Sequence, residues 1–429
     1  MSRRAVRAAR VFTATSDTAI EDGIVVSEDG RIVRVEPLAS LEVNDPDVAG
    51  AERYPNATLM PGFVDAHCHL TLAGDKRTYE QMHQDPDEML ALVAVANLRR
   101  HLAGGVTTVR DNGGRNRVTF VVREAIRRGY VQGPRMLLAG RPITPHLGHF
   151  YFCNGEADGA DAIRAAIRGL VAEGADHIKI MASGGATLGN LPYYPSYTVD
   201  ELAVAVQTAH ALGRLTTAHC RATQSMWYAV DAGLDCIEHA EFLEPDLEVG
   251  ARLHAHSNLQ GGRTVYDPRL AEHMLEAGCY ISYTFQAGGL DTVVELRARR
   301  QSEALTTAER DQLAALEVYF DAKLGVFQQL LRDGARSRLV VSSDAGPFDT
   351  QFGRMHLGLE LAVLGGMSPA EALQASTRVA AAACGVSSEV GTLEVGKVAD
   401  LVVVDGNPLQ SISDTARVAA VYQSGERVV

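Results

Sequence analysis

The chain has 429 residues, 46% of them hydrophobic and 22% charged, enough to bury a large core and within the length that an α/β barrel occupies as one unit. Acidic residues (53) outnumber basic ones (40), and the formal net charge of −13 at pH 7 argues against a phosphate-backbone partner, so nucleic acid is excluded. Six cysteines without a Cys-x-x-Cys pair suit a reducing compartment, and no run reads as a signal peptide or as the ~20 apolar residues of a membrane span, so the expectation is a cytoplasmic enzyme.

Residues 1–58 read as short strands, Gly23–Val26 and Arg31–Val35, around a hairpin signal at Asp29-Gly30. An apolar run then leads from Pro61 and Gly62 into His67 and His69, where Gly62 is expected to let the backbone bend sharply. Beyond it strand and helix patterns alternate. Candidate strands are Gly105–Asp111, Arg135–Gly140, Ala175–Met181, Leu215–Cys220, Cys236–His239, Tyr280–Phe285 and Arg338–Ser343. Helical patterns intervene at Met89–Leu102, Val118–Arg128, Ala160–Ala172, Val199–Leu212, Thr223–Ala232 and Pro268–Ala277. Eight strands nearly all followed by helices predict an α/β fold, a (β/α)8 TIM-type barrel over 59–387. No Gly-x-Gly-x-x-Gly opens an early helix, which weakens a dinucleotide reading. Two segments exceed what a minimal barrel needs: 244–267, and 288–334, whose helical apolar pattern suggests a lid or an oligomer contact. The chain closes on strand-like runs again, at 391–396, Asp400–Val404 and Val418–Tyr422. Paired with the start, they are expected to form a composite β domain, 1–58 with 388–429, as a small β-sandwich.

In such a barrel the chemistry sits at the carboxyl ends of the strands. His67 and His69, two apart on an extended chain, share a face and can grip one metal ion; a chance pair is the competing reading in a chain with 14 histidines. Downstream, Lys179 lies near the end of the fourth strand, His219 ends the fifth, His239 the sixth and Asp344 the eighth. Six ligand-type residues at matching ends of five strands outweigh chance. The bland alternatives are a structural ion pair for Lys179 and a helix N-cap for Asp344.

With Pro61-Gly62-Phe63-Val64-Asp65-Ala66-His67-Cys68-His69, the strand-four lysine, the two single histidines and the final aspartate in place, the chain resembles the amidohydrolase superfamily over nearly its whole length. Through His177–Gly185 and Ile237-Glu238-His239 it is similar to the branch holding prolidase-like dipeptidases and imidazolonepropionase-like proteins. The resemblance implies two divalent ions and a Lys179 carboxylated by carbon dioxide that bridges them. His67, His69 and Asp344 would hold one ion, and His219 and His239 the other. Lys179 and Asp344 are then the catalytic pair, Asp344 as the proton carrier. Zinc is the first choice, and manganese, iron and cobalt accept the same donors.

Three further residues are candidate substrate contacts. His149, by the same resemblance, touches substrate beside the metals; His146 is a weaker candidate on the same loop. Arg221 stands where prolidase-like relatives often carry tyrosine, and it either clamps a substrate carboxylate or pairs with an acidic loop residue. His177 reads as a hydrogen-bonded interior histidine, Cys68 and Cys220 as packing residues pointing away from the metals, and Trp227 as core or rim. The expected activity is cleavage of an amide-type C–N bond in a dipeptide, N-acyl amino acid or similar small amide. The alternatives are a cyclic amide, carbamate or phosphotriester hydrolase, or a catalytically silent metal-binding scaffold. The expected partners are a small-molecule substrate and further copies of the chain as a homo-oligomer, with no membrane.

Overall fold

A computed structural model describes residues 3–42, 44–246 and 262–429. Its strands in chain order are β1 (Arg3–Val11), β2 (Ile20–Glu28), β3 (Arg31–Pro37), β4 (Glu52–Pro61), β5 (Phe63–Cys68), β6 (Val106–Asp111), β7 (Arg135–Leu138) and β8 (His177–Met181). They continue with β9 (Leu215–Ala222), β10 (Cys236–Pro245), β11 (Gly262–Thr264), β12 (Tyr280–Tyr283), β13 (Leu339–Val341), β14 (Leu401–Asp405), β15 (Val418–Gln423) and β16 (Glu426–Arg427).

The two chain ends meet in one seven-stranded sheet, ordered β16-β15-β14-β4-β1-β2-β3. The β2–β3 hairpin turns on Asp29 (φ 49°) and Gly30 (φ 83°), the two positive φ angles of a type I′ turn. The junction is β4, which pairs parallel with β1 and antiparallel with β14, placing Val403 opposite Leu59. Strand β4 runs to Pro61, so the sheet takes in residues beyond position 58. Val6, Val25, Leu59, Leu401 and Tyr422 share an apolar cluster that neither end could assemble alone.

The middle of the chain supplies eight strands in parallel pairs. One sheet is ordered β5-β6-β7 and the other β13-β12-β10-β9-β8, with short β11 antiparallel on β10. Isolated parallel bridges pair Cys68 of β5 with Ala345, four residues past β13, and Ile143, five residues past β7, with Ile180 of β8. Strands β5, β6 and β8 are buried along their whole length, as parallel strands covered on both faces must be. Helices Asp87–Ala103, Val118–Arg127, Gly159–Glu173, Val199–Ala211, Thr223–Asp231 and Pro268–Glu276 fall between them. Local chemistry sets their ends: Thr198 and Glu201 form a capping box at the start of Val199–Ala211, and left-handed Gly174 (φ 101°) stops Gly159–Glu173. Among the described residues no helix is long and apolar enough to cross a membrane.

Gly62 is the break between β4 and β5, where the chain passes from one sheet to another, and it serves a second purpose as well. Its φ is not left-handed; instead a Cβ there would lie 2.1 Å from Thr107 Oγ1 and 2.3 Å from its Cγ2. Close approach of β6 to the strand start is what excludes a side chain. Gly62→Ala is expected to cost about 1–3 kcal/mol, read as a lower urea midpoint at unchanged slope.

The 288–334 segment forms two helices, Leu290–Ser302 and Thr307–Arg332, joined by a cluster of Val293, Leu296, Leu305, Leu313 and Leu316. Phe327 continues into the main core. An Asp291–Arg354 ion pair and the 2.8 Å bond from the Thr292 amide to Asp349 anchor the pair to the loop after β13. Of the other long segment, 244–267, the stretch 247–261 lies outside the described residues.

Candidate metal centre

Backbone geometry brings the ligand-type residues to one end of the parallel strands. The amide of Asp344 donates to the His67 carbonyl (2.8 Å) and that of His69 to the Ala345 carbonyl (2.8 Å), so the turns after β5 and β13 are laced together. Asp344 sits at φ 53°, His239 at φ 71° and Ala240 at φ 52°, the last two within an irregularity of β10 between His239 and Leu243. Left-handed non-glycine residues are strained and persist where the surroundings over-determine them, commonly at functional sites.

Each imidazole is oriented by its outer nitrogen. His67 Nδ1 donates to Glu238 Oε2 (2.8 Å) and His69 Nδ1 to the Gly113 carbonyl (3.0 Å). Their Nε2 lone pairs therefore converge, 3.3 Å apart and 3.3 and 3.5 Å from Asp344 Oδ1. His219 Nε2 donates to the Gly184 carbonyl (3.2 Å), which turns its Nδ1 toward His239 Nε2 at 2.8 Å, while His239 Nδ1 meets Thr284 Oγ1 at 2.8 Å. The ligand atoms of His67, His239 and Asp344 all lie within 4.8 Å of one another.

Burial fixes the protonation states. It holds His69, His149, His219 and His239 well below the usual imidazole range, in the neutral form that ligates metals. The Lys179 amine is pushed down by burial against the opposing charges of Glu238 and Asp344. Burial also raises Asp344, with His67, Lys179 and Lys323 pulling the other way. Lys179 Nζ and Asp344 Oδ1 are both buried without a hydrogen-bond partner. Converging histidine lone pairs and an orphan carboxylate oxygen fit divalent cations, and the orphan amine beside them is left without a hydrogen-bond partner.

Behind the ligands lies a layer of which sequence reasoning singled out only His177. Glu238 accepts from Arg110 Nη2 (2.8 Å), Asn112 Nδ2 (3.2 Å) and the Thr217 hydroxyl while holding His67. His177 Nε2 donates to Asn112 Oδ1 (3.0 Å), an interior hydrogen bond. Asp65, Cys68 and His101 also lie close enough for a metal, yet Asp65 accepts from the Ser343 amide (3.0 Å) and hydroxyl, and His101 Nδ1 from the Gly353 amide (3.1 Å). That cluster is a strut between β5 and the turn after β13. Cys68 and Cys220 are buried in the main core, and Trp227 stacks on His273 at its edge.

Of the candidate substrate contacts, His149 lines the pocket at the ligands, its Nδ1 2.7 Å from Thr187 Oγ1 and its ring 4.5 Å from that of His219. His146 does not line it: the side chain is 73% exposed and its Nδ1 is 2.9 Å from Glu156. Left-handed Leu147 and Phe150 turn the loop so that only the second histidine faces inward. Arg221 lines the pocket and is paired at 2.7 Å with Glu241 on β10, on the neighbouring strand rather than a loop. Tyr79, Phe150, Phe348 and Tyr319 supply aromatic walls, none of which the sequence pattern marked.

Because outer hydrogen bonds orient metal ligands, Thr284→Val is expected to lower metal affinity about 10–100-fold. Competition with a chromophoric chelator checks this, and unchanged affinity would mean that Thr284 does not orient His239.

A sequence profile of the amidohydrolase family matches residues 58–428. The ochratoxinase of Aspergillus niger is 26% identical over 442 aligned positions, covering 92% of this chain and 82% of that protein. The imidazolonepropionase of Rhizobium rhizogenes is 25% identical over 406 positions, covering 92% and 89%. The crystal structure of an Xaa-Pro dipeptidase with methionine in its active site superposes with a TM-score of 0.78 at 24% identity over 100% of both chains, a likeness of fold.

Proposed function

The chain belongs to the amidohydrolase family, and from that premise we propose that it is a two-metal hydrolase cleaving an amide-type C–N bond in a dipeptide, N-acyl amino acid or similar small amide. The observation that carries this reading is the convergence of histidine nitrogens and Asp344 beside a buried lysine amine that has no hydrogen-bond partner. The bridged seams between the two parallel sheets support taking the eight strands as a closed (β/α)8 barrel with the site at its carboxyl ends. The appended β domain is then the one seven-stranded sheet, in place of the two packed sheets of the expected β-sandwich.

In this reading His67, His69 and Asp344 would hold one ion and His219 and His239 the other. Lys179, its amine pushed down by burial, would add carbon dioxide to form a carbamate, releasing a proton to solvent, and the carbamate would supply anionic oxygen donors to the ions. Zinc, manganese, iron or cobalt suits these donors. When bound, such ions acidify water and polarise a carbonyl. Asp344 accepts the proton shed by the attacking water and delivers it to the departing amine nitrogen as the C–N bond breaks. His149 and the aromatic walls position the acyl part. Relatives named as an ochratoxinase, an imidazolonepropionase and a dipeptidase support assigning the reaction type to the centre and the substrate to the walls.

Protein loaded with zinc, manganese or cobalt should release amine from members of a dipeptide and N-acyl amino acid panel. The activity should vanish with chelation and return with the ion. Hydrolysis by protein free of stoichiometric metal, or no cleavage across the panel, would overturn the proposal.

A further inference from the structure

Beside the metal centre a buried group of four side chains has no part in the reaction described above. Arg221 on β9, Glu241 on β10, and Tyr319 and Lys323 one turn apart on helix Thr307–Arg332 are all at most 5% exposed. Glu241 is fully engaged: Oε2 accepts from Arg221 Nε (2.7 Å), and Oε1 accepts from the Tyr319 hydroxyl (2.7 Å) with Lys323 Nζ 3.9 Å away. Lys323 Nζ donates to the carbonyls of Thr284 (2.7 Å) and Ala287 (3.0 Å). Arg221 is the unsaturated member. Its Nη2 lies 2.7 Å from Glu241 Oε2 but off the line of a hydrogen bond, and it is buried without a partner. Among the described residues only Nε of this guanidinium donates to protein. Arg221, Glu241 and Tyr319 line the same pocket as His239 and Asp344.

Two arginine and lysine cations against one glutamate leave the group with one positive charge. Burial pushes Lys323 down to about 8, so it is still mostly protonated at pH 7. A buried guanidinium with free donors is costly unless an anion completes it, and a planar carboxylate matches its geometry. Among the described residues the pocket's carboxylates are Glu241, saturated by its three neighbours, and Asp344, facing the histidine nitrogens. With Asp344 committed to an ion in the hydrolase reading, a substrate ammonium finds no further uncommitted carboxylate among the described residues, whereas the Tyr79, Phe150 and Phe348 rings offer an apolar surface.

We propose that Arg221, positioned by Glu241, Tyr319 and Lys323, forms a subsite for a single carboxylate, and that the site takes amino acids carrying a neutral, apolar N-acyl group rather than free dipeptides. The location of the scissile bond rests on the hydrolase reading; the binding preference does not.

The test uses three probes with the same three-carbon acyl chain: N-propanoyl-L-phenylalanine, its C-terminal amide, and L-alanyl-L-phenylalanine. Calorimetric titration into metal-loaded Asp344→Asn protein reads binding, and wild-type initial rates read turnover. N-propanoyl-L-phenylalanine is expected to bind about tenfold or more tightly than either other probe. Arg221→Met should erase the acid-over-amide ratio and Arg221→Lys keep part of it, while Lys323→Met should shrink it severalfold without abolishing binding. If the acid binds with this preference but is not cleaved, the subsite stands and the hydrolase reading falls. If the amide or the dipeptide binds as well as the acid, or no probe binds, the subsite is wrong, even where amide cleavage is observed.

Discussion

Asp344→Asn is expected to lower kcat about 10²–10⁴-fold, the range lost when a positioned proton carrier is removed, with the fold intact. The substitution keeps size and shape while removing the one carboxylate that can both take up and give back a proton beside the ligand nitrogens. Its backbone is suited to the change. Asp344 sits at φ 53°, a conformation that asparagine tolerates as readily as aspartate, and its amide bond to the His67 carbonyl does not involve the side chain. Asp344 Oδ1 has no hydrogen-bond partner to lose, and the thermal midpoint should stay near that of the wild type. The measurement is kcat at saturating amide, with metal content by elemental analysis on the same preparation. Undiminished kcat at full metal content would remove Asp344 from the proton path.

Residue spacing carried most of the centre because strand ends are where local order and function coincide. His67 and His69 could be placed on one face from the two-residue period alone, and His219, His239 and Asp344 each close a short apolar run that the structure makes a parallel strand or its terminal turn. Less was readable where tertiary packing decides. Tyr319 and Lys323 sit within an apolar helical repeat that reads as core, and only the docking of that helix onto the rim carries them to Glu241. Glu238 adjoins a ligand in sequence, yet its partners Arg110, Asn112 and Thr217 come from other strands, so nothing nearby announces it. Loop torsions separate His149 from His146, and spacing holds no information about them. At Gly62 the glycine was visible but its cause was not, since the clash belongs to Thr107 on another strand.

Lys179→Met should separate stability from function in opposite directions. The amine is fully buried with no hydrogen-bond partner, and an unmet buried polar group costs about 1–3 kcal/mol. Methionine fills nearly the same volume without that penalty. Metal-free Lys179→Met in carbon dioxide-free buffer is therefore expected to be about 1–3 kcal/mol more stable than metal-free wild type by urea denaturation. Burial lowers the folded pKa of Lys179 below its unfolded value, so folding expels a proton. The penalty is full below the folded pKa and fades as pH rises toward the unfolded value near about 10.5. The stability gap between variant and wild type should thus narrow between neutral and alkaline pH. In metal-replete buffer the order reverses in function, because the variant cannot form the carbamate proposed for Lys179: metal content should fall and kcat/KM should drop by about 10²-fold or more. A buried lysine retained against its own destabilisation is what a ligand precursor requires and what a structural ion pair does not. A variant that is less stable without metal, or that keeps both ions and full activity, would return Lys179 to the structural role.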